Sequence, residues 1–115
     1  MSTEIIQAIE LNIEQAKKKV DLGNSLDRLS GNKDFKALIA DGYFAQEAIR
    51  LVHLKSDPAF QTAEKQQSIL DQMNAIGALN QYFKTVTFQA NLAAKAIESD
   101  EEMRDELLAE ELSNG

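Results

Sequence analysis

The chain has 115 residues, 43% of them apolar, 6% aromatic and none tryptophan, so it holds one domain's worth of core at most. One proline and five glycines are too few for the tight turns of a sandwich or barrel, and the absence of cysteine excludes disulfides, thiolate metal sites and cysteine nucleophiles. The net charge of −7 is uneven: residues 1–97 carry 11 Lys/Arg and 11 Asp/Glu, whereas residues 98–115 carry eight acids against Arg104, a poor match to a nucleic-acid backbone.

Ala, Leu, Ile, Gln, Glu and Lys dominate, and these are helix formers, so an all-α fold is expected. The first residues lack a basic stretch ahead of an apolar run, which argues against a secretory signal. No apolar stretch approaches the roughly 18 residues that span a bilayer. The expectation is a soluble protein made inside a cell, with no membrane partner.

A first helix is predicted from about Thr3. Ile6, Ile9, Ile13, Ala16 and Val20 recur at alternating three- and four-residue steps, the seam of a heptad pattern, with Ile5 and Leu11 widening it. Asp21–Asn24 interrupts that seam, and Leu22, Leu26 and Leu29 resume with a changed phase. The helix either continues with a slip there or kinks at Gly23, where glycine costs about 1 kcal/mol against alanine. Gly31 is placed to end it in the left-handed conformation.

Asn32 is the expected N-cap of a second helix, with Phe35, Leu38 and Ile39 on one face. Asp41-Gly42 breaks or bends it, and Tyr43, Phe44, Ala48, Leu51 and Val52 carry the spacing on to about Lys55. Ser56-Asp57-Pro58 ends the element, with Ser56 or Asp57 capping the next helical turn and Pro58 inside that turn.

The longest element is predicted from about Thr62 to Ile97. Positions 69, 73, 76, 80, 83, 87, 90, 94 and 97 form an unbroken four-three alternation, 29 residues or roughly 43 Å of helix. Residues 83–89, FKTVTFQ, have strand propensity, but helix formers on both sides favour helix. Ser99 with Glu102 forms a capping-box pattern for a short final helix, whose one apolar edge is Met103, Leu107, Leu108 and Leu112. Residues 1–97 are thus read as a single helical domain and 98–115 as an acidic C-terminal arm.

No catalytic, cofactor or metal site is assigned. His53 has no nucleophile or carboxylate in a known arrangement, and near a helix end it is read as packed or as a dipole partner. Asp34 and Asp41 lack a third ligand, and the acid-rich C-terminal run lacks the glycine and alternating ligands of a calcium loop. Neither a phosphate-binding glycine loop nor a nucleophile elbow is present. Phe35, Tyr43, Phe44 and Phe60 are read as core rather than as a recognition surface.

Asn80 and Thr87 break the long seam, either as polar residues that set oligomer register or as positions turned outward. The acidic last helix is either a solubilising terminus or a docking arm. The candidate protein-interaction residues are therefore Asn80, Thr87, Met103, Leu107, Leu108 and Leu112.

The run NKDFK…DGYF…EAIRLVHL…DP, with SILDQMNAIGALNQYFKTV after it, resembles a family of small tailed-bacteriophage proteins of the virion or head-assembly type. The resemblance covers about residues 20–100 and carries no catalytic motif. It implies a host cytoplasm at synthesis and a possible place in the virion. The expected architecture is an extended helical hairpin or small helical bundle with one long helix in the C-terminal half, oligomeric. The expected function is a non-enzymatic phage structural or assembly protein, with itself or other virion proteins as partners. The alternative is a phage-encoded acidic inhibitor of a host enzyme or defence protein.

Overall fold

A computed structural model describes residues 2–114. The elements run α1 (Ser2–Ser30), α2 (Lys33–Phe35), a π-helical segment (Lys36–Glu47), α3 (Ala48–Ser56), a 3-10 turn (Pro58–Phe60) and α4 (Ala63–Asn114). Every one of these elements is helical, so the all-α expectation holds. At 52 residues, α4 is about 78 Å of helix, and it fills the C-terminal half as the periodicity predicted. It passes through residues 83–89 and Ser99–Glu102 without interruption, so the capping-box pattern starts no separate helix.

The chain divides into two compact units. Unit 1 joins the residues up to Leu26 with those from Val86 onward, and unit 2 is Asp27–Thr85.

In unit 1, Ile6, Ile9 and Ile13 of α1 and Val86 and Ala93 of α4 are buried. Gly23 lies opposite Ala90, and a groove brings Ala16 beside Ala93 and Ala96. As α1 ascends, its neighbours on α4 therefore descend, and the two helices are antiparallel. α1 runs through Gly23 without interruption. The glycine serves packing instead: a Cβ there would stand 2.4 Å from the Cβ of Ala90, which no pair of carbons tolerates.

α1 ends at Ser30 with no left-handed residue, because no glycine takes positive φ among the described residues. The Gly31 N–H is instead shared between the carbonyls of Asp27 and Arg28, each at 3.2 Å, a bifurcated ending common at helix termini.

In unit 2 the Asn32 side chain accepts from the N–H groups of Asp34 (2.9 Å) and Phe35 (3.0 Å), satisfying donors that the first turn leaves orphaned. Of the break or bend expected at Asp41-Gly42 the break does not occur; the helix widens to i→i+5 bonding over residues 36–47. Each turn then closes a residue late, so residues four and five apart stack. That matches the row Phe35, Ile39, Tyr43, Phe44 and Ala48, all half-buried. The same widening turns Leu38 outward to 71% exposure, against the expectation that it shares the face of Phe35. Gly42 suits the wide turn, since a Cβ there would lie 2.9 Å from the Ala37 carbonyl oxygen.

Leu51 is fully buried and packs with Ile69 and Ile76, ringed by Tyr43, Phe44, Ala48, Leu54, Phe60 and Met73. Val52, expected beside it, is exposed. The Asp57 carboxylate caps the turn after α3 by accepting from Ala59 N–H at 2.9 Å, with Pro58 first in that turn. The carbonyl of Lys55, freed at the end of α3, accepts from the side-chain amides of both Gln61 and Gln66 at 3.0 Å. Thr62 Oγ1 then accepts from Lys65 N–H (3.3 Å) as α4 begins.

Two glycines inside helices should respond oppositely to alanine. Gly23→Ala should lose about 1–3 kcal/mol to overpacking against Ala90. Gly77, with nothing near an added Cβ, should gain roughly 0.5–1 kcal/mol from the same change. Urea unfolding reads both. In the same assay Leu51→Ala should cost about 2–5 kcal/mol and the exposed Leu38→Ala less than about 0.5 kcal/mol.

Candidate protein-interaction surface

α4 turns one face inward along its length, and its phase decides which predicted residues are available to a partner. Ile69, Met73, Ile76, Asn80 and Phe83 face inward, as the seam requires. Beyond Phe83 the inward positions are 86, 90, 93, 97, 100, 104 and 107, so Val86 and Ala93 replace the predicted Thr87 and Ala94. An α-helix drifts about 20° per heptad against a strict 3.5-residue repeat. Two heptads after Ile69, a three-residue step brings the inward line back. Asn80 is consequently half-buried in unit 2, and Thr87 is exposed in unit 1.

The four apolar residues of the acidic segment separate. Leu107 is half-buried on the line that faces α1, while Met103, Leu108 and Leu112 are exposed at 48%, 41% and 85%. Continuing the register set by Gly23 and Ala90 places Ile13 near Asp100, Ile9 near Arg104 and Ile6 near Leu107. The half-burial of those three α4 positions fits that pairing.

The pairing also gathers charge. The first part of α1, residues 2–16, contains Glu4, Glu10 and Glu14 and no Lys or Arg. It runs beside the eight acids of residues 98–115, so one end of unit 1 holds 11 acids against Arg104. The chain's acidity therefore comes from both helices. The remainder, residues 17–97, carries 11 basic and eight acidic side chains, a surplus of three positive charges.

Between the two helices of unit 1 runs a groove of about 300 Å³, floored by Ala16, Ala93 and Ala96 and edged by Leu92, Asn12 and Lys19. Leu92 is 52% exposed there. One turn earlier on α4, Phe88 is 64% exposed. In unit 2 a second outward set comprises Leu38, Ile49 and Val52.

The aromatic residues of unit 2 cluster around Phe83, with Phe35 and Phe44 edge-on to it at 5.9 Å between ring centroids. Tyr43 and Tyr82 extend the group at 6.0 and 6.1 Å. This edge-to-face geometry is a packing arrangement, as expected for Phe35, Tyr43 and Phe44. Phe60 joins the Leu51 cluster and carries the Lys65 ammonium 5.2 Å above its ring. Phe83, the hub of the ring group, lies on the four-three seam read from the sequence, although that reading does not join it to the other rings.

His53 is exposed in the last turn of α3, where a cation is favourable to the helix dipole; it is not packed. Asp34 and Asp41 are both exposed. Among the described residues no group of three or more His, Cys, Asp or Glu could hold a metal ion, and no helix is long and apolar enough to cross a membrane.

One ion pair stands out. The Arg50 guanidinium grips Glu47, its Nε donating to both carboxylate oxygens at 3.1 and 3.0 Å, where the π segment gives way to α3. That hydrogen bonding holds the Glu47 carboxyl below, and the Arg50 guanidinium above, its ordinary range. Because the ionised carboxylate is the favoured form, any stability from the pair is present above the ordinary glutamate pKa. It is lost as pH falls through the lowered one. Carboxyl NMR titration should find Glu47 below the ordinary glutamate range, and Arg50→Gln should raise it toward that range.

Comparison with protein-family models, with curated proteins and with solved structures finds no match to this chain.

Proposed function

We propose that this chain is a non-enzymatic assembly protein that works through helix-mediated contacts with other protein surfaces, copies of itself foremost. The observation that carries this reading is the balance of apolar side chains. Among the described residues, fourteen large hydrophobic side chains are exposed against eight buried apolar residues. Single exposed leucines are ordinary; here they fall in sets. Phe88, Leu92 and Met103 share one face of α4, and Leu11 and Leu22 share one face of α1, eleven residues and close to three turns apart. Sets of this kind mark surfaces that a partner covers. A structural or assembly role in a phage particle, as the resemblance of residues 20–100 implies, is the specific form of this reading.

A second reading is favoured by the charge at one end of unit 1. Eleven acids with exposed Met103, Leu108 and Leu112 among them would suit a basic, partly apolar groove on a host enzyme or defence protein, where electrostatic steering speeds association.

Native mass spectrometry of the purified chain separates the two. Homo-oligomers at micromolar concentration are the expected result. A monomer that stays monomeric, yet is recovered from host lysate in fixed stoichiometry with one basic protein, would replace the first reading with the second.

A further inference from the structure

We propose that residues 36–47 are a two-register element. Wound as a π-helix they seat Phe35 against α4; wound as an α-helix they withdraw Phe35 and align Leu38, Ala45, Ile49 and Val52 on one outward face. Both forms lie within unit 2 and require no partner.

The π form solves a problem of phase. Phe35 meets the Phe83 ring at 5.9 Å between centroids, and Leu51 packs with Ile69 and Ile76, so both ends of the segment face α4. In an unbroken α-helix two residues 16 positions apart would point about 160° apart, and only one of them could face α4. The widened turns between Phe35 and Leu51 remove that difference. Bonding of the i→i+5 kind is rare and mostly confined to a single turn, so a run of 12 residues is held by the contacts at its two ends. When either contact loosens, nothing opposes the return to ordinary turns.

The same residues also carry the pattern of an α-helix. Leu38, Gly42, Ala45, Ile49 and Val52 are spaced four, three, four and three apart, an apolar line with the helical period. In the π form that line is broken up. Leu38, Ile49 and Val52 are 71%, 53% and 55% exposed, and Leu38 is rotated from the other two by most of the angle that the widened turns remove. With Leu51 still anchored, the α register keeps Phe44, seven residues earlier, within about 20° of it and carries Phe35 to the far side. The exchange trades one ring contact on Phe83 for an unbroken apolar line at the surface.

Gly42 is the residue that tells the registers apart. A Cβ there would stand 2.9 Å from the carbonyl oxygen of Ala37, five residues back, where a wide turn closes. Gly77, inside α4, has nothing near an added Cβ, so an ordinary α turn brings no such carbonyl close. Alanine at position 42 is therefore excluded from the π register and favoured in the α one.

NMR of the full chain tests the exchange. Gly42→Ala should lose the NOEs between the Phe35 and Phe83 rings, keep those between Phe44 and Phe83, and leave helicity by circular dichroism unchanged. Relaxation dispersion of the wild-type chain, which reads microsecond-to-millisecond exchange, should find a minor form in residues 36–47 with the chemical shifts of Gly42→Ala. A chain lacking Asp41 and Gly42 brings Phe35 and Leu51 to 14 positions apart, about 40° on an α-helix. It should keep both contacts without a π turn and show no dispersion. Retained Phe35–Phe83 NOEs in Gly42→Ala, or a wild-type segment without dispersion, overturn the proposal, as does loss of either contact in the shortened chain. If Gly42→Ala does not fold, the wild-type dispersion and its absence from the shortened chain decide alone.

Discussion

The inward face of α4 has to follow a helix of 3.6 residues per turn, and that constraint governs the rest of the structure. An apolar line written with a strict seven-residue repeat walks slowly around such a helix. Between Phe83 and Val86 the line takes one short step and recovers. N-terminal to the step, α4 offers Ile69, Met73, Ile76 and Phe83 to unit 2. C-terminal to it, Val86, Ala90 and Ala93 are offered to α1 in unit 1. Had the repeat run on unbroken, Thr87 would stand where Val86 does.

The two units solve their packing differently. Unit 1 uses small residues where Gly23 meets Ala90 and Ala16 lies beside Ala93 and Ala96, and buries Ile6, Ile9, Ile13 and Val86 elsewhere on the same two helices. Unit 2 uses large ones, Leu51 with Ile69 and Ile76 and the ring cluster on Phe83. Its π segment is the adjustment that lets a row spaced by fours keep facing those residues. An α-helix would have rotated that row away from the core within three turns. A small-residue interface leaves the larger apolar side chains of the same helices free to face outward. In unit 1 these include Ile5, Leu11, Leu22, Phe88, Leu92 and Met103.

Charge is set by the same antiparallel pairing. The acids of residues 98–115 look like a tail when the chain is read in a line. Folded, they lie beside Glu4, Glu10 and Glu14, and the positive surplus belongs to residues 17–97. Like charges on neighbouring helices repel, and at a surface the repulsion is softened by water and salt. A protein polarised in this way favours partners, or copies of itself, that bring opposite charge to each region.

Much of the secondary structure was legible in the residues because its causes are local. Asn32 caps a helix through its own side chain, Asp57-Pro58 opens a turn through its fixed geometry, and the four-three spacing of α4 shows at once that it is a helix. Phe35, Tyr43, Phe44 and Phe60, too, are half-buried in packing contacts, as their helical spacing indicated. Tertiary structure decided the rest. Whether Gly23 kinks a helix or admits a neighbour depends on Ala90, 67 positions away in the chain. The outward turn of Leu38 depends on a widened helix that no 3.6-residue pattern announces. The choice of Val86 over Thr87, and the gathering of α1's acids with those of α4, depend on antiparallel register. Register is a property of two helices in contact, and a periodicity read along one of them carries no information about it.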